Sequence, residues 1–207
     1  MGLSIHYSGS LSDPAILPDM ISEVSDIAKT FGWRCEIFDS EFPEQGFDSS
    51  GFNKETVYGL CVIPPGSEPV WLSFLSNGRM STPLLLQHWS SETDEERKKF
   101  LYMPWTKTQY AGIEEHIKVI TLFRYLEKKY LSGFQMTDEG GYWETNDLNV
   151  LKESFRKYNY IIDAFADFLE NSDSIEGESL EDFVKRIAGL VDKKFREEMG
   201  DETPDRE

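Results

Sequence analysis

The sequence predicts an α+β fold, a mainly antiparallel sheet of about five strands covered by about four helices. Three observations carry this. Apolar residues alternate with period two at the start, where Leu3, Ile5 and Tyr7 share one strand face against Ser4 and His6. Beyond Pro104 the apolar spacing becomes helical. The element order is β-α-β-β-β followed mostly by helix, which is not a regular βαβ series. One compact domain is expected over residues 1–196, sheet-rich over about 1–90 and helix-rich over about 110–196, with an acidic flexible tail over 197–207.

The strand over residues 2–8 is followed by Asp13-Pro14, an acidic cap with proline in the first helical turn. Leu17, Met20, Ile21, Val24, Ile27, Ala28 and Phe31 then follow at helical spacing, and Gly32 stands where the helix should stop. A helix of this length also permits a parallel crossover. A second strand is expected over about Trp33–Phe38, before a loop from Asp39 to Lys54 in which Phe42, Phe47 and Phe52 tie the chain back onto the body. Val57–Ile63 and Val70–Leu75, joined through Pro64-Pro65-Gly66-Ser67, read as an antiparallel hairpin. Asn77-Gly78 marks another turn, and Leu84-Leu85-Leu86 reads as a short strand.

The polar run from Ser90 to Lys99 reads as a surface helix or loop. Ile113, Ile117, Ile120, Phe123, Leu126 and Tyr130 define a helix ending near Gly133, and Phe134–Asp138 a brief strand. A long helix carries Leu148, Leu151, Phe155, Tyr158, Ile162, Phe165 and Leu169. The last helix opens at Ser179, with Asp182 in the capping-box position.

Composition excludes several classes of function. Hydrophobic residues make up 39% of the chain and aromatic residues 14%, which suffices for a packed core and argues against disorder throughout. Lys and Arg total 21 against 38 Asp and Glu, a net charge of −17 that repels nucleic acid and anionic membrane surfaces. The pairs Lys98-Lys99 and Lys128-Lys129 are too sparse to form a countering basic patch. Cys35 and Cys61 lie in apolar runs without CxxC or histidine spacing, as expected of reduced thiols. With no basic, apolar leader and no run of about 18 apolar residues, the chain reads as cytosolic.

Chemistry concentrates in Thr137-Asp138-Glu139-Gly140-Gly141-Tyr142-Trp143-Glu144-Thr145, between a strand and a helix. If Phe134 and Met136 face the core, alternation aims Asp138 the same way. Asp138, Glu139 and Glu144 are the candidate general acids and bases, because neighbouring Tyr142 and Trp143 would exclude water and raise a carboxyl pKa. Gly140 and Gly141 would let the backbone approach a ligand closely, with Tyr142 and Trp143 as its binding platform. The same stretch is also explained by helix capping and packing alone. His6, His88 and His116 form neither HExxH nor HxH, so neither metal nor cofactor is expected. Ser8-Gly9-Ser10 lacks the spacing and lysine of a phosphate loop.

This stretch, together with Lys107–His116 and the opening Gly2–Gly9, resembles segments of a family of uncharacterised bacterial proteins. The resemblance spans most of the chain and implies no activity. The expected function is therefore a non-catalytic cytosolic binding or protein-interaction module, with an unknown protein or small molecule as partner. The alternative is a carboxylate-based hydrolase or lyase centred on Asp138–Glu144.

Overall fold

The computed structural model describes residues 2–172, 175 and 178–199. The chain divides into two compact units, Met1–Lys152 and Glu153–Glu207. The N-terminal unit contains all six strands found among the described residues, β1 (Ser4–Leu11), β2 (Arg34–Ile37), β3 (Tyr58–Ile63), β4 (Val70–Phe74), β5 (Trp105–Lys107) and β6 (Leu131–Asp138). Its main helices are α1 (Leu17–Phe31), α2 (Pro83–Trp89) and α4 (Gly112–Lys129), with single turns at α3 (Glu95–Lys98) and α5 (Tyr142–Thr145). The division falls within α6 (Leu148–Asn171), which is followed by α7 (Leu180–Met199).

The fold is mixed α and β, but the expected single sheet is replaced by two three-stranded antiparallel sheets, ordered β5-β1-β6 and β2-β3-β4. β1 pairs with strands more than ninety residues away, Ile5 opposite Thr106 on one side and Asp138 on the other. Period-two alternation specifies which face a strand buries and not its partner, so the sequence pattern left this pairing open. α1 accordingly connects two sheets, and the parallel crossover does not form. The sheets are joined by individual hydrogen bonds. Glu68 N–H donates to the Lys107 carbonyl at 3.0 Å and the Trp71 N–H to the Tyr7 hydroxyl at 2.8 Å. The Thr106 hydroxyl donates to the Pro69 carbonyl at 3.0 Å.

α1 forms where its signals place it. The Asp13 side chain caps the preceding 3₁₀ turn at Pro14–Ile16, and Gly32 closes the helix in the left-handed conformation at φ 70°. Leu17, Met20, Ile21, Val24 and Ala28 are its buried stripe. β3 and β4 form the expected hairpin, with Leu60 opposite Leu72. At Gly59 the chain takes φ +114°, and a Cβ there would lie 2.4 Å from the Leu72 carbonyl oxygen, so only glycine fits. Phe42 and Phe47 pack against the main core and Phe52 against a smaller cluster around Leu75, Leu85 and Leu101, which ties down the Asp39–Lys54 loop.

Three local expectations differ from the structure. Leu84–Leu86 is helical, because Thr82 caps the Leu85 N–H at 3.0 Å and Pro83 occupies the first turn. The helix expected to reach Gly133 ends at Lys129, and Gly133 instead belongs to β6, which is eight residues long. Tyr130 and Leu131 are buried, so the chain turns into the sheet as soon as the α4 stripe is complete.

In the C-terminal unit, Ser179 caps α7 as expected, its Oγ accepting from the Asp182 N–H at 3.1 Å, but Asp182 Oδ2 accepts the Ser179 hydroxyl at 2.8 Å and not the backbone N–H that a full capping box uses. Ala164, Ile187 and Val191 are buried between α6 and α7, with Tyr160, Ile161, Phe165, Phe168 and Phe183 packed around them. α7 runs to Met199, past the point where the tail was expected to begin at residue 197. The remainder of that tail, 200–207, lies outside the described residues.

Candidate functional site

The β5-β1-β6 sheet has two unlike faces. On the inner face Ile5 and Tyr7 pack into the main core with Val119, Ile120 and Phe123 of α4. At one end of this face the apolar layer is interrupted by polar side chains. His116 lies on the buried stripe of α4, and Asp138, opposite Ile5, points inward from the end of β6. Thr108 follows β5.

These three side chains form a closed network. His116 Nε2 lies 3.1 Å from Asp138 Oδ2, and Nδ1 lies 2.7 Å from Thr108 Oγ1. Since an ionised carboxylate only accepts, the proton of this pair sits on Nε2. The Asp138 carboxylate also accepts three backbone N–H groups, from Gly140 at 2.7 Å, Tyr142 at 2.8 Å and Trp143 at 3.1 Å. Burial pushes the Asp138 pKa up, but the His116 hydrogen bond and charge and the Gly140 and Trp143 amides outweigh it and hold the carboxyl below its ordinary value. A hydroxyl, an imidazole and a carboxylate in this order have the composition of an acyl-transfer triad. Here, however, Thr108 and His116 are 0% exposed and Asp138 5%, so the three side chains are closed off from the surface. The arrangement clamps β6 and the following turn onto α4.

The remaining candidate carboxylates are engaged similarly. Glu139 Oε2 accepts the Ser4 N–H at 2.8 Å, while the Glu139 N–H donates to the Ser4 carbonyl at 3.1 Å. Glu144 Oε1 accepts the Asp138 N–H at 3.1 Å. Thus Asp138, Glu139 and Glu144 lie close in the chain but point to three different partners, rather than facing one another across a cleft. Gly141 is left-handed at φ 71° to make the turn. A Cβ on Gly140 would lie 2.7 Å from Leu151 Cδ1 and 3.1 Å from His116 Cε1, so its missing side chain makes room for the clamp. Tyr142 and Trp143 are half-buried. Trp143 meets Phe134 edge-on at 5.9 Å, and Arg124 lies over both rings while donating to both of their carbonyls at 3.1 Å.

His116 belongs to no motif with His6 or His88, so the histidine spacing does not reveal its role. The signal was present. His116 shares a helical face with Val119, Ile120 and Phe123, so it had to be buried and to have a polar partner. Three segments far apart in the chain converge here, through Ser4–Glu139, Leu3–Gln109 and Thr108–His116–Asp138 contacts. His88 is exposed, its Nδ1 donating to the Leu84 carbonyl at 2.9 Å. Among the described residues no group of three His, Cys, Asp or Glu side chains is placed to hold a metal ion.

The outer face of the same sheet is open. His6 is opposite Trp105 on one side and Thr137 on the other, and Ser8 is opposite Gln135. A shallow depression of about 120 Å³ lies among His6, Ser8, Met103, Gln135 and Thr137. Beyond β5, a cleft of about 290 Å³ is lined by Glu68, Pro69, Trp71, Thr82, Leu84 and Trp105. Leu84 and Trp105, which line this cleft, are exposed, as is Met103 at the depression. Trp71 is steadied by stacking on Phe38 at 6.1 Å. No helix among the described residues is long and apolar enough to cross a membrane. Comparison with protein-family models, curated proteins and solved structures gives no match.

Proposed function

We propose that this protein is a non-catalytic binding module that captures its partner on the outer face of the β5-β1-β6 sheet. The observation that carries this reading is the contrast in availability. Each carboxylate considered for acid–base chemistry is held by a backbone amide. Trp105 and Leu84, in contrast, are exposed at an open cleft beside β5, and Met103 at the depression on the outer face. Concave sites with aromatic walls and a few polar groups are the usual form of a binding surface. A hydrolase or lyase built on Asp138, Glu139 and Glu144 lacks two carboxyls that face one reacting bond. A cytosolic setting belongs to the same reading, supported by the free thiols of Cys35 and Cys61. Burial pushes the Cys61 thiol up to about 11, which suits an inert core thiol and not a nucleophile.

The test compares the two faces in the full chain. Partners captured by the wild type are identified beside those captured by Trp105→Ala combined with Leu84→Ser, and by Asp138→Asn. Capture is expected to be lost in the first variant with its melting temperature kept, and retained in folded Asp138→Asn. The opposite pattern, capture lost with Asp138→Asn and kept without Trp105, would place function at the clamp and overturn the reading.

A further inference from the structure

We infer that the cleft beside β5 binds a small organic cation whose head is a quaternary ammonium group. This rests on the reading of Trp105 and Leu84 as part of the binding surface and names the class of ligand they take.

The wall of the cleft carries charge of one sign. It is formed by Glu68, Pro69, Trp71, Thr82, Leu84 and Trp105, with no Lys or Arg among them. Glu68 is fixed through the Lys107 backbone. Its N–H donates to the Lys107 carbonyl at 3.0 Å, and its Oε2 accepts the Lys107 N–H at 3.1 Å. The Lys107 ammonium itself stands over the Tyr110 ring, 5.7 Å from the centroid, and not in the cleft wall. The net charge of −17 adds a field that draws cations from a distance. An anion would meet Glu68 with no counter-charge beside it.

Two indoles supply the rest. Trp105 is 40% exposed and is paired with His6 of β1. Trp71 is half-buried, with its ring stacked on Phe38 at 6.1 Å and its N–H on the Tyr7 hydroxyl at 2.8 Å. The bond from the Thr106 hydroxyl to the Pro69 carbonyl ties the two strands together, so the rings are placed before a ligand arrives. The electron-rich face of an indole attracts a cation, Trp more than any other side chain. Hydrogen-bond supply then selects among cations. Primary ammonium and guanidinium groups bring several N–H donors that must be satisfied when they leave water. The side-chain acceptors in the wall are Glu68 and Thr82, and both already accept backbone N–H groups, Thr82 from Leu85 at 3.0 Å. A quaternary ammonium has no N–H to satisfy. Its methyl groups meet the indoles, Leu84 and Pro69, and its charge meets Glu68. At about 290 Å³ the cleft is near the lower end of small-molecule sites, which suits a free small molecule and not a length of polypeptide.

The measurement is a titration of the full-length, ¹⁵N-labelled chain with choline chloride at constant ionic strength, taken to about 20 mM to reveal millimolar dissociation constants. Neohexyl alcohol, the uncharged carbon isostere of choline, and ethanolamine, its unmethylated counterpart, are titrated beside it, as is a peptide carrying trimethyllysine. Choline is expected to shift the indole N–H signals of Trp71 and Trp105 saturably, and the isostere and ethanolamine to bind at least about fivefold more weakly. Glu68→Gln and Trp105→Ala, both at exposed positions, should each weaken choline binding at least about fivefold with the melting temperature kept. If the isostere or ethanolamine binds as well as choline, or choline leaves both indole signals unmoved, the assignment is wrong. A trimethyllysine peptide that binds at least about tenfold more tightly than choline would give the cleft to a protein partner and overturn the small-molecule ligand. Should Trp105→Ala combined with Leu84→Ser still abolish capture after such a failure, the binding surface stands and only its ligand is lost. Choline shifts confined to the Asp138–Thr145 turn would remove both.

Discussion

The two faces of the β5-β1-β6 sheet are built from the same three strands and do opposite things with polar residues. On the inner face Thr108, His116 and Asp138 are sealed, and their hydrogen-bonding capacity is turned on one another and on the following turn. On the outer face His6, Ser8, Gln135 and Thr137 line an open depression beside exposed Trp105. The inner set resembles catalytic machinery by residue type, and the outer set resembles ordinary surface. Access reverses that ranking. A reactive constellation without an opening stabilises a fold, whereas a hydrogen-bonding strip beside an exposed indole can meet a ligand.

The sharpest way to break this comparison is Asp138→Ala. It removes the acceptor for His116 and three backbone amides inside the protein, and a loss of about 3–5 kcal/mol is expected in denaturant unfolding. A loss under about 1 kcal/mol would mean that the clamp is open to water.

The same carboxylate predicts an acid dependence. Its folded pKa is held below the ordinary value, so its stabilisation is complete above the unfolded value of about 3.9 and disappears as pH falls through the folded value. Thermal melts across that window should show a steeper acid decline for the wild type than for Asp138→Asn, which has no such group to protonate. Equal declines would assign acid sensitivity to other carboxylates, such as Glu23, held down to about 2 by Lys129 and Tyr125.

Thr108→Val keeps the shape and removes the hydroxyl facing His116. A cost of about 1–3 kcal/mol is expected, from losing the buried hydrogen bond between the hydroxyl and the His116 ring. Calorimetry comparing the variant with the wild type checks this.

The smallest effects belong to the outer face. Gln135→Ala and Thr137→Ala should each stay within about 0.5 kcal/mol in the same assay, because neither side chain is buried. A large loss at either position would mean that the outer strip is structural and would erase the difference between the faces.

Much of the local structure was legible in the residues. α1 followed from Asp13-Pro14, its apolar spacing and Gly32. The β3–β4 hairpin followed from two apolar runs around Pro64-Pro65-Gly66. The inward direction of Asp138 followed from alternation along β6. Each of these rests on a repeat or a turn within about twenty residues of chain. Leu84–Leu86 failed as a strand because three leucines carry no period, and the Thr82 cap decided for helix.

Composition and periodicity specify an acidic chain with enough apolar residues for a core, most of its helices and strands, and the buried face of β1 and α1. Packing of the whole chain is what joins β1 to β5 and β6, divides the strands between two sheets and brings Asp138 to His116. The physical reason is the range of the forces involved. Helical and strand periods record whether a side chain is buried, and they do so residue by residue. Which buried groups meet depends on closing long loops between segments that carry no mark of one another, and that choice is made only when the whole core packs.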